Sequence, residues 1–202
     1  MRETNMPMSE KAVAIYEAII TLINEGADVN AMTVGDITNR AGIGKGTAYE
    51  YFKSKDEMVE TALFYNIVRQ IETAKTLVMS EYKFQSKFRA LLDYMESNKD
   101  QIRPFIWMMR RAGNSIDLLN AGNLSAECSE MQVCINYLVG LADWFIAFAD
   151  EEGLIKEQNH DFRVSVLLSQ IVQYGFYIHF GSTQDPEEVK EFIYQGFIKQ
   201  LN

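Results

Sequence analysis

Between Ala41 and Met58 the chain reads AGIGKGTAYEYFKSKDEM, in which Gly42, Gly44 and Gly46 alternate with Ile43 and Lys45, and Thr47 follows. Glycine amides, one lysine and one hydroxyl are the groups that surround a bound phosphate. The nucleotide-binding spacings fail, however. A P-loop needs G-x-x-x-x-G-K-[ST], whereas Lys45 is followed by Gly46 and Asn39 stands five before Gly44. The dinucleotide fingerprint needs G-x-G-x-x-G after a strand, and here the glycines run G-x-G-x-G with no β-branched run before them. The same segment is rich in cations: residues 37–55 hold Arg40, Lys45, Lys53 and Lys55 against Glu50 alone, in a chain of net charge −9. An acidic body with one basic patch directs a polyanion to that patch and repels it elsewhere. On charge alone, an ordinary solvated cluster fits equally well.

Other residues with chemical potential are scattered. His160 and His179 have no Cys, Asp or Glu at metal-ligand spacing. Cys128 and Cys134, six apart in a helical pattern, suit buried thiols better than a disulfide framework or a zinc site. No Ser-His-Asp, Cys-His or paired-carboxylate arrangement is readable, so no enzyme, cofactor or metal is expected. Asp143 is the polar exception inside Leu141-Ala142-Asp143-Trp144-Phe145. A buried carboxylate needs a partner, which leaves a ligand cation, Arg110 or Arg111, or an escape to solvent.

The elements that carry these residues are helices. The chain has 202 residues, 48% of them hydrophobic, and only three prolines. It has no long apolar run and no basic-then-apolar start, so a soluble cytoplasmic protein with no membrane contact is expected. Ala12, Ile15, Tyr16, Ile19, Leu22 and Ile23 follow the 3.6 period, with Gly26 as a C-terminal cap. Thr33 and Asp36 form a T-x-x-D start for a short helix that Gly42 can end, and a second short helix runs from about Gly44 to Tyr51. Ser54 and Glu57 form an S-x-x-E box opening a longer helix. Two short helices joined by a tight glycine turn make a helix-turn-helix, whose second helix enters the DNA major groove. The phosphates would then be those of DNA.

Thr33-Val34, Asp36-Ile37, Ala41-Gly42-Ile43, Lys45-Gly46-Thr47, Tyr49, Tyr51-Phe52 and Lys53 to Glu57, in this order and spacing, resemble the DNA-binding domain of the TetR family of bacterial transcriptional regulators. The resemblance covers about the first quarter of the chain. It implies phosphate contacts from Thr33, Tyr49 and Lys55, and beyond residue 55 an all-helical dimeric ligand-binding domain. Helix N-termini, lysines and tyrosine hydroxyls suit phosphates. Lys45, Thr47 and Glu50 face a groove best, where they could read a guanine, a thymine methyl and a cytosine amino group, with Gly46 beside them. Phe52 reads as core, whereas Tyr51 suits core and interface equally. Gly44 stands where the family usually has a capping side chain, and Ala48 where a larger aliphatic is common.

The expected architecture is all-α with about nine helices, a helix-turn-helix domain over 1–55 and a ligand-binding and dimerisation domain over 56–202. Asn123 to Asp150 carries two apolar stripes, one through Leu138, Ala142 and Phe145, the other through Tyr137, Leu141, Trp144 and Phe148. Phe162 to Phe180 is apolar nearly all round, and a last helix after Asp185-Pro186 presents Val189, Phe192, Ile193 and Phe197 on one face. This surplus of apolar surface predicts a homodimer, with that last face in its interface. Phe105, Trp107, Met108, Met109, Asp143, Trp144, Phe148, Tyr174 and Tyr177 are candidates for the lining of a ligand cavity; each of the aromatics and methionines suits a plain core as well. The acidic surplus favours a neutral or cationic effector. The leading reading is a repressor released from its operator by a small, mostly apolar molecule. The alternative is an all-helical enzyme or lipophile carrier whose basic segment is incidental.

Overall fold

A computed structural model describes residues 9–102, 129–181 and 183–202, with side chains at all of these except 102 and 129–135. Among the described residues are eight α-helices, one 3-10 turn and no strand. The helices are α1 (Glu10–Asn24), α2 (Val34–Ala41), α3 (Lys45–Tyr51), α4 (Lys55–Ser80), α5 (Phe84–Ser97), α6 (Ser129–Glu151), α7 (His160–Phe180) and α8 (Pro186–Gln200), with the 3-10 turn at Lys99–Ile102. The fold is therefore all-α. The helix expected over Pro104 to Ala112 lies outside the described residues, as do Phe105, Trp107, Met108, Met109, Arg110, Arg111 and Cys128. No helix among the described residues is long and apolar enough to cross a membrane.

Short polar side chains set most helix starts. Ser9 accepts from the Ala12 amide at 3.2 Å and opens α1. Thr33 and Asp36 satisfy each other's backbone amides at the start of α2, the reciprocal box expected of T-x-x-D. Ser54 accepts from the Glu57 amide at 3.1 Å, while the Glu57 carboxylate reaches back to the Lys53 amide, one residue earlier than a standard box. Asp185 and Pro186 start α8. Gly42 ends α2 at φ 69°, ψ 27°, a left-handed conformation that glycine adopts without a Cβ penalty.

The chain divides into two compact units. The first takes α1, α2, α3 and α4 as far as Gln70. The buried face of α1, from Ala12 through Ile23, packs on α2 and α3, where Ile37 and Ala48 are buried, and Tyr16 meets Tyr65 of α4 at 5.1 Å; Met58, Val59 and Ala62 of α4 are buried as well. Phe52 is buried at the end of α3, with its ring 5.7 Å from Tyr16 in an edge contact. It belongs to the core, as its spacing indicated. Burial pushes the Tyr16 phenol well above its ordinary pKa.

The second unit takes α4 from Ile71, α5, the 3-10 turn, α6 from Ile135, α7 and α8. Its centre is aromatic: Phe84 lies 5.3 Å from Phe145 and 5.6 Å from Phe197, and Phe88 lies 5.5 Å from Phe197. Each such ring removed from water contributes on the order of 2–3 kcal/mol. Ile193 and Phe197 are therefore core residues of their own protomer, which corrects their placement in a dimer face. The outer side of α8 carries Phe192, 69% exposed, while α7 exposes Phe162, Phe176 and Phe180. Two buried lysines tie the unit together. Lys87 Nζ donates to the carbonyls of Val78, in the last turn of α4, and Glu81, just beyond it, and sits 4.6 Å from the Phe148 ring centroid. Lys190 Nζ bridges Asp93, Glu96 and Glu187 at 2.5, 2.6 and 2.9 Å.

Candidate functional site

In the first unit, α2, the Gly42 turn and α3 form the helix-turn-helix. The Ile43 amide donates to the Thr38 carbonyl at 3.0 Å, closing the turn, and the Thr38 hydroxyl donates back to Val34 inside α2. Ala48 points from α3 into the core and is fully buried. That orientation leaves Lys45, Gly46, Tyr49 and Glu50 exposed, with Thr47 and Tyr51 half-buried. Of the residues expected to meet DNA from α3, Lys45, Gly46, Tyr49 and Glu50 thus lie on the outward side of a single short helix. Thr33 is exposed as well, although its hydroxyl is already engaged with Asp36 at 2.7 Å. Gly44 opens α3 with no side-chain cap.

Several cations of the basic segment are engaged by their own chain. Arg40 pairs with Glu25. Lys45 folds back over α2: its Cε and Nζ lie 3.3 Å from where a Cβ on Gly35 would stand, so the glycine leaves room for it. The Asp36 carboxyl is held below its ordinary pKa, first by the Thr33 hydroxyl, then by the Thr33 amide, with Lys45 adding to them. Lys55 Nζ donates to the carbonyls of Val29, Asn30 and Met32 at 3.2, 3.2 and 3.0 Å. An ammonium has three N–H groups, and all three are taken. The phosphate contact expected of Lys55 is thus replaced by a clasp between the start of α4 and the turn before α2. Lys53 and Tyr49 remain exposed, the latter by 53%.

In the second unit an apolar cavity of about 140 Å³ is walled by Ile71, Ala74, Lys75 and Val78 of α4, Leu91 of α5, Leu138, Leu141, Ala142, Trp144 and Phe145 of α6, and Leu167, Leu168 and Ile171 of α7. Of the described ligand candidates it takes Trp144 alone. Phe148 stands behind it, edge-on to Trp144 at 5.2 Å. Tyr174 is fully buried, its hydroxyl 3.5 Å from Glu96. Tyr177 lines a separate groove of about 350 Å³ between α7 and α8, beside Val189 and Phe192. Asp143 is exposed and pairs with His160 Nε2 at 2.9 Å, so it reaches solvent and faces no ligand in the cavity. His160 also meets Asp161 at 3.0 Å; Asp161 first, then Asp143, raises its pKa. The aliphatic wall was missed although Ile71, Ala74, Lys75 and Val78 recur at helical spacing. Single aliphatics carry no mark that separates a cavity wall from a core.

Among the described residues, Asp93, Glu96 and Glu187 come close enough to share a metal ion, but the Lys190 ammonium occupies the position between them.

Residues 15–62 match the family model described as bacterial regulatory proteins, tetR family. The structure is similar to the fatty acid degradation regulator FadR from Bacillus halodurans, with a TM-score of 0.64 and 14% identity over 97% of each chain. It is also similar to a TetR family transcription regulator from Marinobacter aquaeolei VT8, with a TM-score of 0.61 and 16% identity over 95% of each chain. A transcriptional regulator from Rhodococcus sp. Rha1 gives a TM-score of 0.65 at 14% identity, over 94% of this chain and 93% of that one. No curated protein matches. The resemblance seen in the helix-turn-helix residues is therefore met by the family model at the N-terminal segment and by the fold of the whole.

Proposed function

We propose that this chain, with the TetR-type DNA-binding segment and the fold of TetR-family transcriptional regulators, is a repressor that grips its operator as a homodimer and lets go when a small, mostly apolar molecule enters the second unit. The observation that carries this reading is the outward side of α3: Lys45, Gly46, Tyr49 and Glu50, held exposed on a short helix by the left-handed Gly42 turn and the buried Ala48. Thr47 and Tyr51 flank that side, and Thr33 stands at the start of α2. The operator-reading domain spans 1–55, and 56–202 binds ligand and partner. Lys45 swings off Gly35 to reach a base, an inexpensive movement for a flexible side chain. Dimer formation uses the exposed aromatics of α7 and α8, with Val189 and Phe192 kept from the expected face and the buried Ile193 and Phe197 left out of it. A helix-turn-helix dimer needs two half-sites on one DNA face, which matches this arrangement. Expression in the cytoplasm, without a cofactor, follows from this role.

The test is selection of genomic fragments by the purified full chain, followed by sequencing. A two-fold related motif enriched over random DNA is expected. Binding at low salt that favours no fragment over random DNA would sink the reading.

A further inference from the structure

The cavity wall of the second unit is apolar throughout, and its one charged residue, Lys75, lines it with the methylene stem and holds its ammonium at the edge. Its Nζ lies 5.6 Å from the ring centroid of Trp144, another wall residue, and 3.0 Å from Glu72 Oε1. Glu72 is not in the wall; it is more exposed than Lys75 and also accepts from the Tyr137 hydroxyl at 2.9 Å. We infer that this cavity selects an amphipathic ligand, an uncharged ring or short chain inside with an anionic end group at the Lys75 ammonium. The inference deepens the ligand half of the proposed function and rests on it.

Three observations carry it. An apolar interior leaves any buried polar group without a hydrogen-bond partner, so the polar end of a ligand has to stop at the rim. A volume of about 140 Å³ is close to that of a dry engineered cavity that holds benzene, which limits the buried part to one ring or a chain of similar bulk. The ammonium at the edge of the cavity sits over the Trp144 face, where a second cation would be repelled and where an anionic end group can take the place of Glu72. Lys75 is also free to change partner, because the Tyr137 hydroxyl still donates to Glu72 when the ammonium turns inward. The sign is opposite to the one suggested by the net charge of −9, because the nearest charge decides over a distant surplus.

Isothermal titration of the full chain, without DNA, against 4-phenylbutyrate, 4-phenylbutan-1-ol and 4-phenylbutylammonium reads the selectivity directly. Wild type is expected to bind the carboxylate about fivefold or more tighter than the alcohol, and the ammonium more weakly than either, as one partly exposed ion pair allows. Lys75→Met, which keeps the apolar stem, should bring the carboxylate to within about twofold of the alcohol, and Lys75→Gln should do the same if the methionine variant folds poorly. Leu167→Trp should fill the cavity and abolish binding of all three. Equal binding of the three probes, a preference for the ammonium, or a carboxylate preference that survives both Lys75 variants overturns the inference. If none of the probes binds, the cavity is not the ligand site. Operator binding by the same sample is measured separately and stands or falls by itself.

Discussion

At the scale of single residues, the contacts that could be read in advance are those whose partners are close in sequence. Thr33 and Asp36 are three apart and were readable as a cap. Lys55 was not readable: its carbonyl acceptors lie 23 to 26 residues back, in a turn whose path depends on the packing of α1 and α2. The consequence is measurable. Lys55→Met removes three hydrogen bonds and leaves carbonyls short of a donor, so urea unfolding should show a loss of roughly 1–3 kcal/mol. Its DNA affinity should fall with salt at the same slope as wild type, whereas a lost phosphate contact would reduce that slope by about one unit. His160 gives a second test. Asp161 and Asp143 raise its pKa, so the charged form contributes stability that is present below the ordinary histidine value near 6.5 and disappears as pH rises through the higher folded-state value. In Asp143→Asn, proton NMR should place the His160 titration at lower pH than in wild type, and an unchanged midpoint would remove Asp143 from the account.

At the scale of elements, helix starts and the glycine ends of α1, α2 and α7 were legible because caps are local chemistry. Which apolar stripe faces inward was not. On α8, Val189, Phe192, Ile193 and Phe197 share a helical spacing, yet Ile193 and Phe197 fill the core while Phe192 stands outside, a distinction made by α5 and α7 and not by the period. Phe197→Ala should accordingly destabilise the fold by about 3–5 kcal/mol in urea denaturation, as for other buried rings. A loss below 1 kcal/mol would contradict its core position. The start of α3 allows a gain. Gly44 has φ −77° with open space around a Cβ, so Gly44→Ser adds the missing cap without strain and should raise the unfolding midpoint by an amount equivalent to a few tenths of a kcal/mol.

At the scale of the whole molecule, the net charge of −9 and the one basic segment described a regulator's charge map in outline, but not its detail. Arg40 is paired with Glu25 and Lys55 is held by three carbonyls, so the segment offers fewer free cations than its composition suggests. Dimer formation is testable at this scale. Phe192→Glu changes a side chain that is 69% exposed and should leave a folded monomer in sedimentation at micromolar concentration, with operator affinity lost because two half-sites about 34–36 Å apart, or a multiple of that, need two heads. A mutant that remains dimeric would move the interface elsewhere. The lysines tied to carbonyls lead in another direction. Amine-acylating reagents need access to the amine, which exposed Lys45 and Lys53 offer and which Lys87, 6% exposed, and Lys55, bound three ways, do not. Mass spectrometry after brief acylation therefore carries its own reference: Lys55 and Lys87 mark intact protein by staying unmodified, and any protection that DNA adds at Lys45 and Lys53 can be read against them in a single sample.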